Sequence, residues 1–441
     1  MEFFGREEEL EELRKVREKA RQVARFTVVT GRRRVGKTEL VKRAFADGKT
    51  PCVYLLVTRK TEKVQCAAFQ EEVEKVLGIR IRGRCETFKD VFEEIMAASV
   101  ERTFTLVVDE FQEFDRVNPG VFGDVQGVWD DYHVRAKLNL VVCGSVNRLM
   151  NKIFFNDAEP LYGRNTGRLH VDPFKASLLK KIFRHYRPDY SKKDLLALWT
   201  LTGGIARYVD LLMSNGAFTL DAMLETIFGR ITSFIDEGKT VLVEEFGKDY
   251  GTYFTILASI ASGRTTFAEI KNELGLEVGG FLTKLEDDYL LIAKKQPLFE
   301  KTGKKNSHYQ IDDCFFRFWF RFVFKYQYLV ELGRFDELRT LVKRDLNVFC
   351  GYSLERYFYW KFVEETSYTR MGGWWDRKGE NEIDLVCDDE FAGKLVFHEV
   401  KVSSERIDLK ALRAKSEAFF AKNPGLKDRK VSFRALSLKD M

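Results

Sequence analysis

Between residues 25 and 171 the chain alternates short apolar runs with longer amphipathic ones. Arg25–Thr30, Cys52–Val57, Thr103–Asp109, Leu138–Cys143 and Leu169–Val171 are rich in Val, Leu and Phe and read as strands. Most lack a polar face, so these strands are expected to be covered on both sides. Thr38–Ala46, Ala67–Leu77 and Phe88–Ser99 repeat their apolar residues at helical spacing. The alternation predicts an α/β fold, a parallel sheet with helices on both faces. Pro173 closes the region. From 175 to about 248 the pattern is helical, with one Thr-Gly-Gly break at 202–204.

Beyond this point the period changes. Tyr253–Ala261, Thr266–Leu274 and Val278–Tyr289 predict short helices. Leu290–Ala293 and Ser307–Ile311 predict two strands around a basic tip, Lys301–Lys305. Helices followed by a hairpin form the outline of a winged helix. Cys314–Val330 is an aromatic helix carrying Arg317, Arg321 and Lys325 at four-residue spacing. It reads as a helix packed between domains or as a surface for nucleic-acid phosphates. A helix at Leu354–Glu365, strands at 382–387, 394–402 and 430–436, and a helix at 408–421 predict a small α/β domain at the end. The expected domain limits are 1–174, 175–249, 250–312, 313–345 and 346–441.

At 441 residues the chain has room for about three domains. The formal charge of +6 is too mild to imply nucleic acid by itself, so any basic surface must be local. The start is charged and lacks the apolar core of a secretion signal. No uncharged apolar run is long enough for a membrane span, so no membrane partner is expected. The seven cysteines are scattered and odd in number, which fits a reducing cytoplasm and argues against disulfides and structural zinc.

Gly31-Arg32-Arg33-Arg34-Val35-Gly36-Lys37-Thr38 follows an apolar strand and opens a helix. This spacing is that of a phosphate-binding loop. Its backbone N–H groups curl around phosphates, Lys37 reaches the β- and γ-phosphates, and the Thr38 hydroxyl is placed to ligate Mg²⁺. The side chains of Arg32, Arg33 and Arg34 face solvent or a partner subunit. A hydrolase also needs an acid for the metal and one for the water. Asp109 and Glu110, at the end of the strand Thr103–Asp109, fill those roles and favour ATP hydrolysis. The next apolar strand ends in Gly144-Ser145. Ser145, or else Asn147, is a candidate γ-phosphate sensor.

Phe4-Gly5-Arg6-Glu7-Glu8-Glu9-Leu10, the phosphate loop, Val108-Asp109-Glu110-Phe111-Gln112-Glu113-Phe114, Gly144-Ser145 and Pro160-Leu161-Tyr162-Gly163-Arg164 occur in this order. The series resembles the archaeal-type ATPases of the AAA+/STAND group that carry a DUF234-type C-terminal region. The resemblance implies a P-loop NTPase sheet with a helical lid. It places Gly5 and Arg6 near the nucleotide base. It makes Arg164 a sensor or trans-acting cation, and so allows a homo-oligomer. The family's Gly-Gly-x-Pro turn is here Gly203-Gly204-Ile205-Ala206, followed by Arg207. Ala206 departs from the pattern and puts lid coupling through this turn in doubt.

The C-terminal region holds a second constellation. Glu399 and Lys401 lie two apart on one strand and project to the same face. A hairpin brings Asp384 beside them, and Glu355 on the preceding helix is a further acid. Asp and Glu carboxylates hold Mg²⁺ or Mn²⁺, and a Lys positions the attacking water. The order Glu355, Asp384, Glu399-x-Lys401 resembles the PD-(D/E)xK restriction-endonuclease-like superfamily. It implies metal-dependent cutting of DNA. The winged-helix segment offers a route to DNA through Lys271, Lys284, Lys294, Lys295, Lys301, Lys304 and Lys305 as candidate phosphate contacts, or else serves as a protein–protein spacer. The expectation is an Mg²⁺-dependent ATPase whose nucleotide state is relayed to a nuclease-like domain. The alternative is an ATP-controlled switch whose C-terminal domain only binds DNA or a protein partner.

Overall fold

The computed structural model describes residues 2–145, 147–229, 232, 234–246, 250–300 and 306–441, and the side chains of all of these except Asn147, Glu244 and Glu245. It divides into two units, Phe3–Pro173 and a second that runs from Phe174 to Met441.

In the first unit β1 (Arg25–Thr30), β2 (Cys52–Leu56), β3 (Phe104–Asp109), β4 (Leu138–Cys143) and β5 (Gly167–His170) form one sheet in the order β2-β3-β4-β1-β5. Every neighbouring pair is parallel. Side chains alternate between two cores. Phe26, Val28, Leu106, Val108, Leu140 and Val142 enter one, while Val29, Val107, Val141 and Cys143 enter the other. β1, β3 and β4 therefore need helices on both faces. Glu62–Leu77, Phe88–Glu101 and Val121–Tyr132 supply one layer, and Glu7–Lys19 and Lys37–Phe45 supply the other. The helix Glu7–Lys19 is hidden in the sequence by its charge. Only Leu10 and Leu13 form its apolar stripe, and its buried Arg17 is neutralised by Asp47 at 2.7 Å.

The second unit begins with the helices Ala176–Tyr186, Lys192–Thr202, Ala206–Ser214 and Leu220–Ile227. The turn between the second and third is pinned by Gly204. Its φ is +75°, and an added Cβ would stand 2.4 Å from the Phe174 carbonyl oxygen. The next segment holds helices at Tyr250–Ala261, Phe267–Leu274 and Gly279–Thr283, the last running into a π turn at Lys284–Asp288. An antiparallel hairpin follows, β6 (Ile292–Lys295) with β7 (His308–Ile311).

The aromatic stretch is not one continuous α-helix. Cys314–Phe318 passes into a π turn at Trp319–Phe324, and Gln327–Glu331 follows. Two of its three cations turn inward, and Lys325 is exposed. Arg317 donates to the Phe349 carbonyl at 3.0 Å and stacks on the Phe349 and Tyr352 rings, and Arg321 pairs with Asp345 at 3.3 Å. The helix expected at Leu354–Glu365 is the last third of a longer one, Phe335–Glu365.

The C-terminal sheet adds β8 (Arg370–Trp375) to β9 (Glu382–Asp389), β10 (Lys394–Val400) and β11 (Lys430–Leu436), in the order β11-β10-β9-β8. β8, β9 and β10 are antiparallel, and β11 runs parallel to β10. The Gly372-Gly373 pair conceals β8 in the sequence. The helix Leu409–Lys422 packs Leu412 and Phe419 on one face against Ile383 and Phe397. Tyr359 and Phe362 of the long helix cover Leu385, Cys387 and Val396 on the other.

Candidate functional site

The ends of β1, β3 and β4 that face one way along the sheet gather the phosphate loop, Asp109-Glu110 and Gly144-Ser145. This is the edge at which parallel α/β sheets bind ligands. Gly31 opens the loop at φ +145°, and a Cβ there would lie 2.4 Å from the Val171 carbonyl oxygen, so no other residue fits. Val35 is buried, and Gly36 caps the helix Lys37–Phe45 with no side-chain cap. The first N–H groups of that helix thus point into the loop without a side chain to satisfy them, a ready anion site.

Lys37 is buried, and its Nζ donates to the carbonyls of Gly31 and Arg32, both at 2.8 Å. Burial pushes its pKa down to about 8, opposed chiefly by Glu110. The Thr38 hydroxyl donates to Asp109 Oδ2 at 2.8 Å. Asp109 Oδ1 accepts from the Glu110 N–H at 2.9 Å. Glu110 itself sits in the left-handed region at φ 54°, which turns its carboxylate toward β4. There Ser145 Oγ donates to Glu110 Oε2 at 3.0 Å. A buried cation, a hydroxyl beside a carboxylate and an uncapped helix terminus are the donor set that suits a nucleotide triphosphate with Mg²⁺.

Sequence reasoning missed two members. Tyr54 on β2 donates its hydroxyl to Asp109 Oδ2, the oxygen that also meets Thr38. Burial first, then this bond, raises the Tyr54 pKa. Gln112, fully buried, donates Nε2 to the Glu110 carboxylate. Nothing in the sequence says that β2 lies beside β3, so Tyr54 gives no local signal.

Gly5 and Arg6 have φ of 65° and 69°, and Arg6 Nη2 reaches the Asp172 carbonyl at 2.5 Å and the Val35 carbonyl at 3.5 Å. The Gly-Arg segment is thereby tied to the phosphate loop. Arg164 lies elsewhere. It precedes β5, where the Thr166 N–H bonds the Phe26 carbonyl at the start of β1, and it pairs with Asp130 at 3.2 Å. The phosphate loop follows the opposite end of β1. Arg164 therefore does not reach the phosphate loop of its own chain. Arg207 pairs with Asp210 at 3.6 Å.

In the C-terminal sheet Lys401 Nζ donates to Asp384 Oδ2 at 2.9 Å and lies 3.8 Å from Glu399 Oε1. The Val400 N–H also holds Asp384 Oδ2, at 2.7 Å, and Glu399 Oε2 accepts from the Asp408 N–H at 3.1 Å. Burial pushes the Glu355 carboxyl up to about 8, reinforced by Asp384 and Glu382 and opposed by Lys401. Burial works against the Lys401 charge, but Asp384 first and then Glu399 and Glu355 outweigh it and raise its pKa. Asp384, Glu399 and Lys401 thus meet, and Glu355 stands within electrostatic reach. They do not form the expected cage of acids. Among the described residues no three His, Cys, Asp or Glu side chains come together in a metal-holding group, and here the Lys401 ammonium stands beside both carboxylates.

Of the lysines proposed to meet DNA, four lie among the described residues and three of those have partners. Lys271 pairs with Glu277, Lys295 with Asp312 at 3.2 Å, and Lys294 leans on the Tyr309 ring. Lys284 is exposed in the π turn, and Lys301, Lys304 and Lys305 lie outside the described residues. The chain following β6 docks on the C-terminal sheet. The Leu298 N–H bonds the Gly373 carbonyl at 2.9 Å, and Trp375 Nε1 bonds Asn306 Oδ1 at 3.1 Å.

The five-stranded parallel sheet with its loop, lysine and paired acids defines a P-loop ATPase domain. Residues 3–212 match the family described as an ATPase domain predominantly from Archaea, and residues 319–415 match DUF234, described as "Archaea bacterial proteins of unknown function". Residues 3–212 thus match an archaeal-type ATPase domain, and residues 319–415 match a DUF234 domain. An uncharacterized protein of Methanocaldococcus jannaschii is 28% identical over 408 residues, covering 90% of this chain and 87% of its own. The Walker-type ATPase of Pyrococcus abyssi shares the fold at a TM-score of 0.54 and 21% identity, over 72% of this chain and 96% of that one. The Aeropyrum pernix ORC2 protein gives a TM-score of 0.49 at 12% identity, over 78% of this chain and 96% of that one. Among the described residues no helix is long and apolar enough to cross a membrane.

Proposed function

We propose that the first unit binds ATP with Mg²⁺ and hydrolyses it. The observation that carries this reading is the linked set Lys37, Thr38, Asp109, Glu110 and Ser145 at one edge of the sheet. Mg²⁺, when bound, would supply neutralisation of the charge that develops on the transferred phosphoryl group. Thr38 and Asp109 would hold it. The Lys37 ammonium would exchange its carbonyl partners for phosphate oxygens. Glu110 orients and polarises the attacking water, and the donors Ser145 and Gln112 fix its carboxylate. Tyr54 orients Asp109. Arg164 acts on the nucleotide of a neighbouring copy. The test is ATP binding and turnover beside Lys37→Ala. Loss of both in the variant is expected, and unchanged turnover would overturn the assignment.

The same reading gives the C-terminal sheet phosphodiester chemistry on DNA. Asp384 and Glu399 would hold a divalent cation once Lys401 moves aside, and Lys401 then positions the water. The long helix Phe335–Glu365 supports coupling. Glu364 accepts from the Ala176 N–H at 2.9 Å, capping the first helix of the unit, and Ser353 accepts at its carbonyl from Trp199 Nε1 at 3.0 Å. The same helix carries Glu355 and pairs Arg356 with Asp312 beneath the hairpin at 2.7 Å.

A second reading, the ATP-controlled switch, draws on the closed ion pair between Lys401 and Asp384. Here the C-terminal domain binds without cutting, and metal-dependent cleavage separates the two.

A further inference from the structure

Among the described lysines around the hairpin, Lys271, Lys294 and Lys295 have internal partners, yet a formal charge of +6 leaves basic surface to be placed. One segment of the ATPase unit presents it without compensation. Between the helices Glu62–Leu77 and Phe88–Glu101 the chain reads Gly78-Ile79-Arg80-Ile81-Arg82-Gly83-Arg84-Cys85. Arg80, Arg82 and Arg84 are exposed, and Ile81 and Cys85 are buried in the core beneath. None of the three arginines has a carboxylate partner within ion-pair distance among the described residues. The nearby acids are engaged. Glu74 Oε1 accepts from the Ile81 N–H at 2.8 Å, and Glu86, beside Arg84, pairs with Lys63.

The loop is built to hold this shape. Gln70 grips it twice, donating Nε2 to the Gly83 carbonyl at 2.9 Å and accepting at Oε1 from the Cys85 N–H at 3.0 Å. Arg102 holds the Leu77 carbonyl at 2.7 Å where the loop begins. Two buried side chains and four hydrogen bonds thus fix a short segment whose outward groups are three like charges. Such a segment repels itself unless a polyanion approaches. Guanidinium groups suit phosphate because they present a planar fork of donors. A fixed loop also loses little entropy on binding.

We infer that Arg80, Arg82 and Arg84 form a contact surface for the phosphodiester backbone of a nucleic acid. The surface reads charge rather than sequence, because the loop carries no aromatic or amide side chain of its own to contact bases and the Gln70 amide beside it is spent on Gly83 and Cys85. It would hold the polymer to the ATPase unit. The choice of polymer rests on the nucleic-acid reading of the C-terminal site, but the contact does not need that site to cut.

The test measures binding of the full chain to labelled single-stranded DNA, duplex DNA and RNA, in EDTA, by fluorescence anisotropy. Wild type is compared with the triple variant Arg80→Gln/Arg82→Gln/Arg84→Gln and with the triple Lys replacement. If the three residues each neutralise one phosphate, the salt slope falls by about 2.7 in the Gln variant. The affinity ratio between wild type and variant then shrinks about 40-fold from about 50 to 200 mM salt. The Lys variant keeps the slope. The preferred polymer is read from the three arms. ATP-induced thermal stabilisation, unchanged in both variants, shows that the fold is kept. Equal slopes and affinities for wild type and the Gln variant overturn the inference, as does a wild type with no affinity at low salt. Loss of self-association instead of nucleic-acid binding assigns the loop to a second copy, and also overturns it. Cleavage abolished by Lys401→Ala while the Gln variant binds normally leaves the C-terminal reading standing and removes only the loop.

Discussion

Glu355→Gln is the most informative single change in the C-terminal domain. Burial and the charges of Asp384 and Glu382 hold the Glu355 carboxyl near 8, against an ordinary value of 4.5. The native state therefore binds this proton more tightly than the unfolded chain does. The stability associated with it is fully present below about pH 4.5 and is lost as pH rises from there through 8. At about 1.4 kcal/mol per pH unit the ceiling is about 5 kcal/mol. Residual solvent contact screens the group, so about 2–3 kcal/mol is expected. Gln replaces the neutral carboxyl without the titration. Wild type and variant should melt alike near pH 5. Near pH 8 the variant should melt higher by roughly 5–10 °C. The assay is thermal melting of both proteins across that range. Parallel curves, or a variant less stable at pH 8 than at pH 5 relative to wild type, would show that Glu355 does not sit in the field of Asp384.

Three further outcomes follow from the ATPase site. Glu110→Gln should lower kcat for ATP by about 10²–10⁴-fold, the range for losing a positioned base, with ATP affinity kept; steady-state turnover beside equilibrium binding separates the two effects. Arg164→Ala should lower kcat about 10³-fold or more without weakening ATP binding, and mixing it with Glu110→Gln should restore turnover if the arginine works across a subunit boundary. Gly31→Ala places a Cβ 2.4 Å from the Val171 carbonyl oxygen at φ +145°. It should cost about 2–5 kcal/mol and abolish ATP-induced stabilisation in a thermal shift measurement.

The sequence exposes those parts of the site that one segment carries alone. The phosphate loop and the Asp109-Glu110 pair each join an apolar strand to a turn with a distinctive residue set, and the sheet places them side by side. What depends on which strands are neighbours stays hidden. Tyr54 meets Asp109 only because β2 pairs with β3, and Gln112 meets Glu110 only through a left-handed backbone at position 110. Elements with diluted patterns also escape. The helix Glu7–Lys19 reads only as a charged start, residues 335–353 of the long helix predict no element of their own, and two glycines disguise β8. The cationic stripe at Arg317 and Arg321 is visible in the sequence, but only the packing of the long helix shows that it faces inward.

The central claim is that ATP chemistry in the first unit serves phosphodiester chemistry in the second. The direct measurement is cleavage of single- and double-stranded DNA with Mg²⁺ or Mn²⁺, with and without ATP, for wild type, Lys401→Ala and Lys37→Ala. The account predicts metal-dependent cutting by wild type, none by Lys401→Ala, and a changed response to ATP in Lys37→Ala. Intact DNA in every arm, with ATP hydrolysis preserved, would contradict it and leave the chain as an ATP-controlled binding switch.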